Sequence, residues 1–583
     1  MNRLNSNRRQ RLVMLLVILS LALVSFSGLA EAEPWSFAVV GDQRDSDGST
    51  GVNGPVIQAM AQDIALNRGV LLVLCGGDQI HGRTGSATAT LPQMYQNWLT
   101  AMAPILGISY PVRGNHETYG EISAPYYPYY WDFWIAQFLS LPQNGPDEEK
   151  GMTYSFTKAN AFFVGVDQFM PDYEYRVNQN WLDEQLAANI LPHVFVYGHL
   201  PAVAVTEDLS SMAYYPLNRD AFWESLGDGG CQVYLCGHSH LYNRATITVT
   251  DVKGKITPPI TQLVVGAGGG PLENWDGSYY PYQSHAGHHR PPGPEDVTTT
   301  LGNHLEWQFG YAVVTINGNQ VSITYYAGLP VNAVPTSWEV KDTFSYVVTS
   351  KTLGLNNVSQ QMDPQILTSY YPGVAINKTG TGTLTLSAGT SPYSQPITVS
   401  GGKMRVYGHY ASAPVTVIGG GVTALHDGSL NQVISEADGS LVGTGTVFGN
   451  LTNNGNVAPG FYTGPWILDV IGSYAQTVAG TFQVNIGSAT EYGQLRITGT
   501  LGTATLNGVL AIDLQNDFVP AANQVFPNII TASNGLSGTF SQIIVAPKTP
   551  TLNWQPIYGA NSFGLKAVPK TIVPQLELLL LQD

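Results

Sequence analysis

A chain of 583 residues is too long for one hydrophobic core, so two or three domains are expected. Its 25 basic against 41 acidic side chains give a net charge of −16, which repels polyanions and disfavours a nucleic-acid partner. Three cysteines, Cys75, Cys231 and Cys236, exclude a disulfide framework and read as small buried hydrophobes.

The N-terminus reads as a secretory signal. Arg3, Arg8, Arg9 and Arg11 precede an apolar run over residues 12–26, and Ala30-Glu31-Ala32 offers small residues for cleavage. The run is shorter than the ~20 residues that span a bilayer, which weighs against a transmembrane anchor. "NRRQR" also resembles a twin-arginine signal. Residues 1–32 are therefore assigned as a signal peptide, and the protein is expected to be secreted, periplasmic or at the cell surface.

Over residues 33–345 strands alternate with helices. "FAVVGD" is a predicted strand, and residues 55–66 place Val56, Met60 and Ile64 on one helical face. "GVLLVLCGGD" is the next strand, residues 91–106 a second helix, and "ISYPVRGNH" a further extended segment. Residues 179–189 read as helical, and "HVFVYGH" and "CQVYLCGH" as strands. On one strand Cys231 and Cys236 would stand ~16 Å apart and could not bridge. Apolar runs without alternation indicate strands covered on both faces, hence an α/β fold with a layered β core flanked by helices.

Residues 346–372 read as a linker. Beyond them, over residues 373–583, Gly, Thr, Val and Asn dominate and no helical period appears. "PITVSGGKMRVYG" and "PVTVIGGGVTALHDG" repeat with Pro396 and Pro414 18 residues apart, as stacked strand–turn rungs would. This region is expected to be all-β, β-helix-like or a β-sandwich. Over about residues 375–470 it resembles the β-helical repeats of bacterial autotransporter passengers and other surface proteins. No membrane barrel follows, and "LELLLLQD" is too short to span a membrane.

Five predicted strand ends carry polar residues that strands avoid. They are Asp42, Asp78, Asn115 with His116, His199, and His238 with His240, each set preceded by glycine. In layered α/β proteins ligands bind beyond the carboxyl ends of strands. Asp, Asn and several His converging there suit iron, zinc or manganese, and no thiolate cluster points to structural zinc. A single "GD" pair marks a turn and a lone His is a satisfied polar group. The ordered set GD…GD…GNHE…GH…GHSH is far more specific.

This order resembles the calcineurin-like metallophosphoesterase superfamily over about residues 35–345. "GNHE" and "GHSHLYNR" are similar to its purple acid phosphatase branch. The resemblance implies a centre of two metal ions. Asp78 would bridge them; Asn115, His199 and His238 would complete one site, and Asp42 and His240 the other. His116 would stand beside the substrate phosphate as proton donor or charge stabiliser, with Asn115 also near the substrate. Most of the superfamily has Asp-x-His in the first motif, whereas this chain has Asp42-Gln43-Arg44. Purple acid phosphatases place a tyrosine three residues after the bridging aspartate, where this chain has His81. His81 is thus a candidate ligand in place of the missing imidazole, or a loop residue facing solvent. Arg44 is a candidate binder of substrate phosphate, or a surface ion pair. For Tyr242 and Arg244 a structural role carries at least equal weight.

Three other stretches carry less. "VVGAGGGPLENW" (264–275) lacks the Lys-Ser/Thr of a P-loop and reads as a rim loop. His285, His288 and His289 lie in a Pro/Gly-rich stretch that reads as a mobile loop rather than a second metal site, and the aromatics of residues 125–134 either line a substrate cleft or cover the core. The expected function is a secreted, metal-dependent phosphomonoesterase acting on a small phosphorylated substrate. A phosphodiesterase or nucleotidase on the same fold is the alternative, as is a non-catalytic surface binding protein with a decayed site. The C-terminal region is expected to serve attachment or spacing at the cell surface.

Overall fold

A computed structural model describes residues 33–82, 87–118, 134–206, 210–251, 253–283, 297–460 and 466–570. The expected signal peptide, the C-terminal tail, the loop histidines at 285, 288 and 289, and nearly all of the 125–134 aromatics lie outside the described residues.

Strands β1 (Trp35–Val40), β2 (Val70–Gly76) and β3 (Ser109–Val112) pair in parallel. β4 (Tyr154–Lys158) and β5 (Ala161–Gly165) form a hairpin, and β5, β6 (His193–Tyr197) and β7 (Val233–Cys236) continue in parallel. Then come β8 (Tyr242–Val249), β9 (Ile260–Val265), β10 (Val297–Leu305), β11 (Gly310–Asn317), β12 (Gln320–Leu329) and β13 (Ser337–Val347). They make two sheets, β13-β12-β11-β1-β2-β3 and β10-β8-β9-β7-β6-β5-β4.

The inner faces of the two sheets share one core. Phe37 of β1 meets Phe163 of β5 and Phe195 of β6 edge-on, with ring centroids 5.1 and 4.9 Å apart. Helix α1 (Gly54–Asn67) lays Ile57, Met60, Ala61 and Ile64 on the first sheet's outer side, joined by Trp98 of α2 (Leu91–Ala101). Helices α3 (Gln179–Ala188) and α4 (Pro216–Gly229) cover the second sheet with Leu182, Leu186, Phe222, Trp223 and Leu226. The layered α/β fold is as expected, with the strands apolar on both faces because both are covered. Helix α2 opens on a Thr90–Gln93 capping box and ends at Ala101, short of the expected residue 106. Pro104 has no N–H to extend a helical ladder, and it disfavours helix at the residue before it.

The assignment of residues 346–372 as a linker is corrected. Strand β14 (Ser350–Gly354) pairs in parallel with residues 375–379, and Ser359–Met362 pairs with residues 383–386. Leu353, Leu355 and Met362 are buried in the C-terminal core. Such short strands among polar residues carry little apolar signal, so their pairing shows only in three dimensions. The helix α5 (Pro364–Tyr370) follows, capped by the Asp363 carboxylate on the Ile366 N–H.

The C-terminal region is all-β. Nine strands stack in one sheet and fifteen in another, in parallel except at the last strands. Ile397, Val415, Val433 and Leu451 stand in register, 18 residues apart along the chain and buried. The period read between Pro396 and Pro414 is thus the repeat of the stack, consistent with the β-helix-like expectation. No helix among the described residues is long and apolar enough to cross a membrane. All three cysteines are free and buried.

Candidate metal centre

The five polar sets lie just past the carboxyl ends of β1, β2, β3, β6 and β7, where the two sheets meet. Backbone bonds knit these ends together: Asp42 N–H donates to Gly77 C=O at 3.0 Å, and Gly237 N–H to His199 C=O at 3.0 Å. The preceding glycines serve close approach as much as turning. A Cβ on Gly114 would lie 2.2 Å from Asp78 Oδ1, and one on Gly237 2.3 Å from Asp42 Oδ2. Asp42, Asp78 and His238 hold left-handed backbone conformations, with φ of 55°, 52° and 72°. Such conformations cost of order 1–3 kcal/mol each and persist where the surroundings over-determine them.

Ligand-capable atoms of Asp42, Asp78 and His199 all lie within 4.8 Å of one another, and all three residues are buried. His199 Nε2 stands 3.5 Å from Asp78 Oδ1, and 3.0 Å from both Asn115 Oδ1 and His238 Nδ1. The other ring nitrogens have partners of their own. His199 Nδ1–H donates to the Gly76 carbonyl at 2.8 Å, and His238 Nε2 lies 3.3 Å from Ser210 Oγ. The lone pairs of His199 Nε2 and Asn115 Oδ1 therefore face one another with His238 Nδ1 beside them, an arrangement suited to a cation. Asp78 completes this donor set. His240 Nε2 lies 3.5 Å from Asp42 Oδ1, and its Nδ1–H donates to the Pro271 carbonyl at 2.7 Å. That bond fixes the tautomer with Nε2 toward the site, as metal-binding imidazoles require.

Arg44 Nε is 3.6 Å from Asp78 Oδ2, and His116 Nε2 is 3.7 Å from the same oxygen. Arg44 Nε is buried with no hydrogen-bond partner among the described residues. His81 is placed differently. Its Nδ1 lies 3.1 Å from the Asp45 carbonyl and 3.4 Å from the Asp45 carboxylate, and its ring is buried beside His116. It faces neither solvent nor, through Nδ1, the Asp42–Asp78–His199 group.

Burial pushes the Asp42 carboxyl well above the usual carboxylate range, and Asp78 adds to the rise. Burial pushes Asp78 the same way, but His116, His199 and Arg44 together outweigh it and hold that carboxyl below its ordinary value. Burial lowers His238 and His240, and lowers His116 to about 4. Neutral imidazoles beside carboxylates are the ligand form of this residue set.

Several supporting groups were not singled out from the sequence. Glu117 accepts N–H bonds from Asp78, Ile80 and Gly114 at 3.0, 3.1 and 2.6 Å, bracing the loop that carries Asp78. Gln168 Oε1 accepts the N–H groups of His199 and Leu200. The glycine-rich stretch 264–275 is a rim loop, as expected: Gly270 N–H donates to the Asp42 carbonyl, and Glu273 accepts the His240 N–H. Glu117 was visible inside "GNHE"; Gln168 and Glu273 carried no signal of spacing. Tyr242 and Arg244 both bond Asp342 Oδ2 at 2.7 Å, tying β8 to β13 in a structural role.

Residues 52–242 match the family described as calcineurin-like phosphoesterase. The match lies within the N-terminal domain and begins after Asp42 and Arg44, where this chain departs from the common first motif. No curated protein matches the chain in sequence. Among solved structures the chain is similar to a purple acid phosphatase from yellow lupin (Lupinus luteus) seeds, with 13% identity and a TM-score of 0.38 over 54% of each chain. It is also similar to PhoD, with 13% identity and a TM-score of 0.38 over 55% of this chain and 70% of that one. A third is the Plasmodium inner-membrane-complex anchor GAP50, with 14% identity and a TM-score of 0.34 over 54% and 89%. The chain thus spans about half the length of the lupin enzyme. At such scores these likenesses carry no weight beside the side chains themselves.

Proposed function

We propose that the protein is an exported, metal-dependent phosphoesterase that hydrolyses small phosphate monoesters, in the manner of the purple acid phosphatase branch. The observation that carries this reading is the convergence of Asp42, Asp78 and His199 within 4.8 Å, with Asn115 and His238 turned toward His199. The donor set fits metal: Asn115, His199, His238 and Asp78 would hold one ion, and Asp42, His240 and Asp78 would hold a second. Iron, zinc and manganese all suit these ligands. Bound there, the metal would neutralise phosphoryl charge and lower the pKa of water.

The chain's own residues supply the rest. The Arg44 guanidinium reaches into the site beside Asp78 and is matched to a phosphoryl oxygen. His116 Nδ1–H donates to the His81 carbonyl at 2.6 Å, which leaves Nε2 to move a proton. Burial holds that ring neutral in the free site; an anionic phosphate against Nε2 would favour its protonation by solvent, and the resulting Nε2–H would pass that proton to the leaving oxygen. Export is proposed from the arginines and apolar run of residues 1–32, and surface attachment from the repeat-like C-terminal region.

One observation favours a second reading. Arg44 stands where most of the superfamily has a metal-ligating histidine, as in a protein that kept the fold and lost turnover. Metal analysis with assays on p-nitrophenyl phosphate and its bis ester separates the readings. Bound metal with monoester hydrolysis, both abolished in Asp78→Asn, supports the proposal. Diester preference selects a phosphodiesterase, and a metal-free, inactive protein selects the binding role.

A further inference from the structure

The stacked C-terminal strands carry a cleft of about 270 Å³. Its floor is low because Val442, Ala458 and Gly460 are small. Its walls are planar and polar: Asn456, Gln483, Asn485, Asp513, Gln515 and Asn516. Trp466 closes one side, its indole packed against Gly460 and Gly487.

The register explains the cluster. Gln483 and Asn485 alternate with buried Phe482, Val484 and Ile486, so both point outward. Asp513 is the direct parallel neighbour of Asn485, and Gln515 follows two residues later on the same face. The groups are held in place by one another. Gln483 Nε2 donates to Asn485 Oδ1 at 2.9 Å and to Asp513 Oδ2 at 3.3 Å, and Gln515 Nε2 donates to Asp513 Oδ2 at 2.7 Å. Asn456 Oδ1 is buried without a hydrogen-bond partner among the described residues. A buried acceptor left unmet is costly, and a donor from a ligand would satisfy it.

From this lining we infer that the cleft is a binding site for an uncharged sugar unit of a glycan. Side-chain amides and a carboxylate offer both donors and acceptors to sugar hydroxyls. An indole and aliphatic floor accept the C–H face of the ring. Among the described residues of the lining Asp513 is the one ionisable group and no cationic side chain is present, so a phosphate or a uronate would meet a carboxylate unrelieved. The volume, about 270 Å³, lies just below the roughly 300–1,000 Å³ range of ligand sites, so one or two rings fit rather than a long chain. The site is built from residues unrelated to the metal centre and would hold the enzyme on a glycan-bearing surface.

The test is saturation-transfer NMR on the full-length protein with maltotetraose, cellotetraose, chitotetraose and mannotetraose, with tetragalacturonate as the charged arm. Binding of at least one neutral oligosaccharide is expected, with an accompanying change in tryptophan emission. Gln483→Ala and Asn485→Ala, each checked by circular dichroism, should weaken that binding at least tenfold and leave p-nitrophenyl phosphate turnover unchanged. Silence from every neutral sugar overturns the inference, whatever the variants do. So does tighter binding of tetragalacturonate, or neutral binding that survives both substitutions. Ca²⁺ binding that is lost in Asp513→Ala, with no sugar bound, would reassign the cleft to a cation.

Discussion

Arg44 Nε lies 3.6 Å from Asp78 Oδ2, so a fixed positive charge faces the carboxylate proposed above as a shared metal ligand. Most of the superfamily puts a neutral, ligating imidazole at this position. The Arg44 charge also bears on Asp42, His116 and His240, working to lower the pKa of each. It therefore competes with metal most on the Asp42 side, and reaches the Asn115–His199–His238 side only through Asp78.

Arg44→Ala is accordingly expected to keep the metal held by His199 and His238 while losing substrate affinity. A charge-assisted hydrogen bond is worth about 1.5–3 kcal/mol, or on the order of 10- to 100-fold in kcat/KM. Arg44→His should raise the metal content per chain, because it exchanges a repelling cation for a ligand. Elemental analysis of the purified variants beside steady-state kinetics checks both. A drop in metal content on Arg44→Ala would show that the guanidinium supports the centre rather than opposing it.

Glu117 is expected to be as necessary as a ligand while binding no metal. Its carboxylate gathers the N–H groups of Asp78, Ile80 and Gly114. In Glu117→Gln the amide can present one oxygen to this cradle, and its NH₂ then meets a donor. A stability loss of about 2 kcal/mol should follow. The loop with Asp78 at φ 52° would relax, and metal affinity would fall with it. Chemical denaturation and metal titration of the variant measure the two effects, and wild-type metal affinity in Glu117→Gln would end the assignment.

The site was legible in the sequence further than the fold around it. Asp42, Asp78, Asn115, His199, His238 and His240 each stand directly after glycine or within a GHSH run at a strand end, and a local pattern needs no partner to be read. The order of the sheets was not legible, since β11 joins β1 across most of the domain and leaves no local trace. Residues 346–372 failed for a related reason: β14 is stabilised by residues 375–379, and its own five residues alternate too weakly to announce it. At His81 the spacing from Asp78 matched a family position, and the Asp45 carbonyl and carboxylate hold its Nδ1, which leaves Nε2 as its candidate donor.

Acid should weaken the fold through His193 in particular. Its Nε2–H donates to the Gly318 carbonyl at 2.8 Å, its Nδ1 is buried without a partner, and burial lowers its pKa to about 4. An unfolded histidine titrates near 6.5. The unfolded chain therefore binds more protons between these values, and stability falls as pH drops from about 6.5 to about 4. The contribution reaches about 3 kcal/mol at the acid end. His193→Gln should flatten the melting temperature against pH across that window relative to wild type. Parallel curves for the two proteins would remove His193 from the account.

The C-terminal strands should be dispensable for turnover, because they meet the catalytic domain at the far end of its sheet. Lys351 Nζ donates to the Gly229 carbonyl at 3.3 Å, and the Tyr371 hydroxyl donates to the Ile190 carbonyl. Ile190 and Gly229 precede β6 and β7, whereas His199 and His238 follow those strands. The five residues of β6 alone separate the two ends by about 16 Å. A protein ending at Val348 should keep its metal content and hydrolyse p-nitrophenyl phosphate with kcat/KM within about threefold of the full chain. It should lose stability, since the polar groups around Gly229 and the apolar surface of α3 and α4 beside β14 would be uncovered. Binding of neutral oligosaccharide should vanish entirely, because Gln483, Asn485 and Asp513 are gone. A shortened protein that folds and holds metal yet turns over no substrate would show that the C-terminal region shapes the site through the length of β6 and β7.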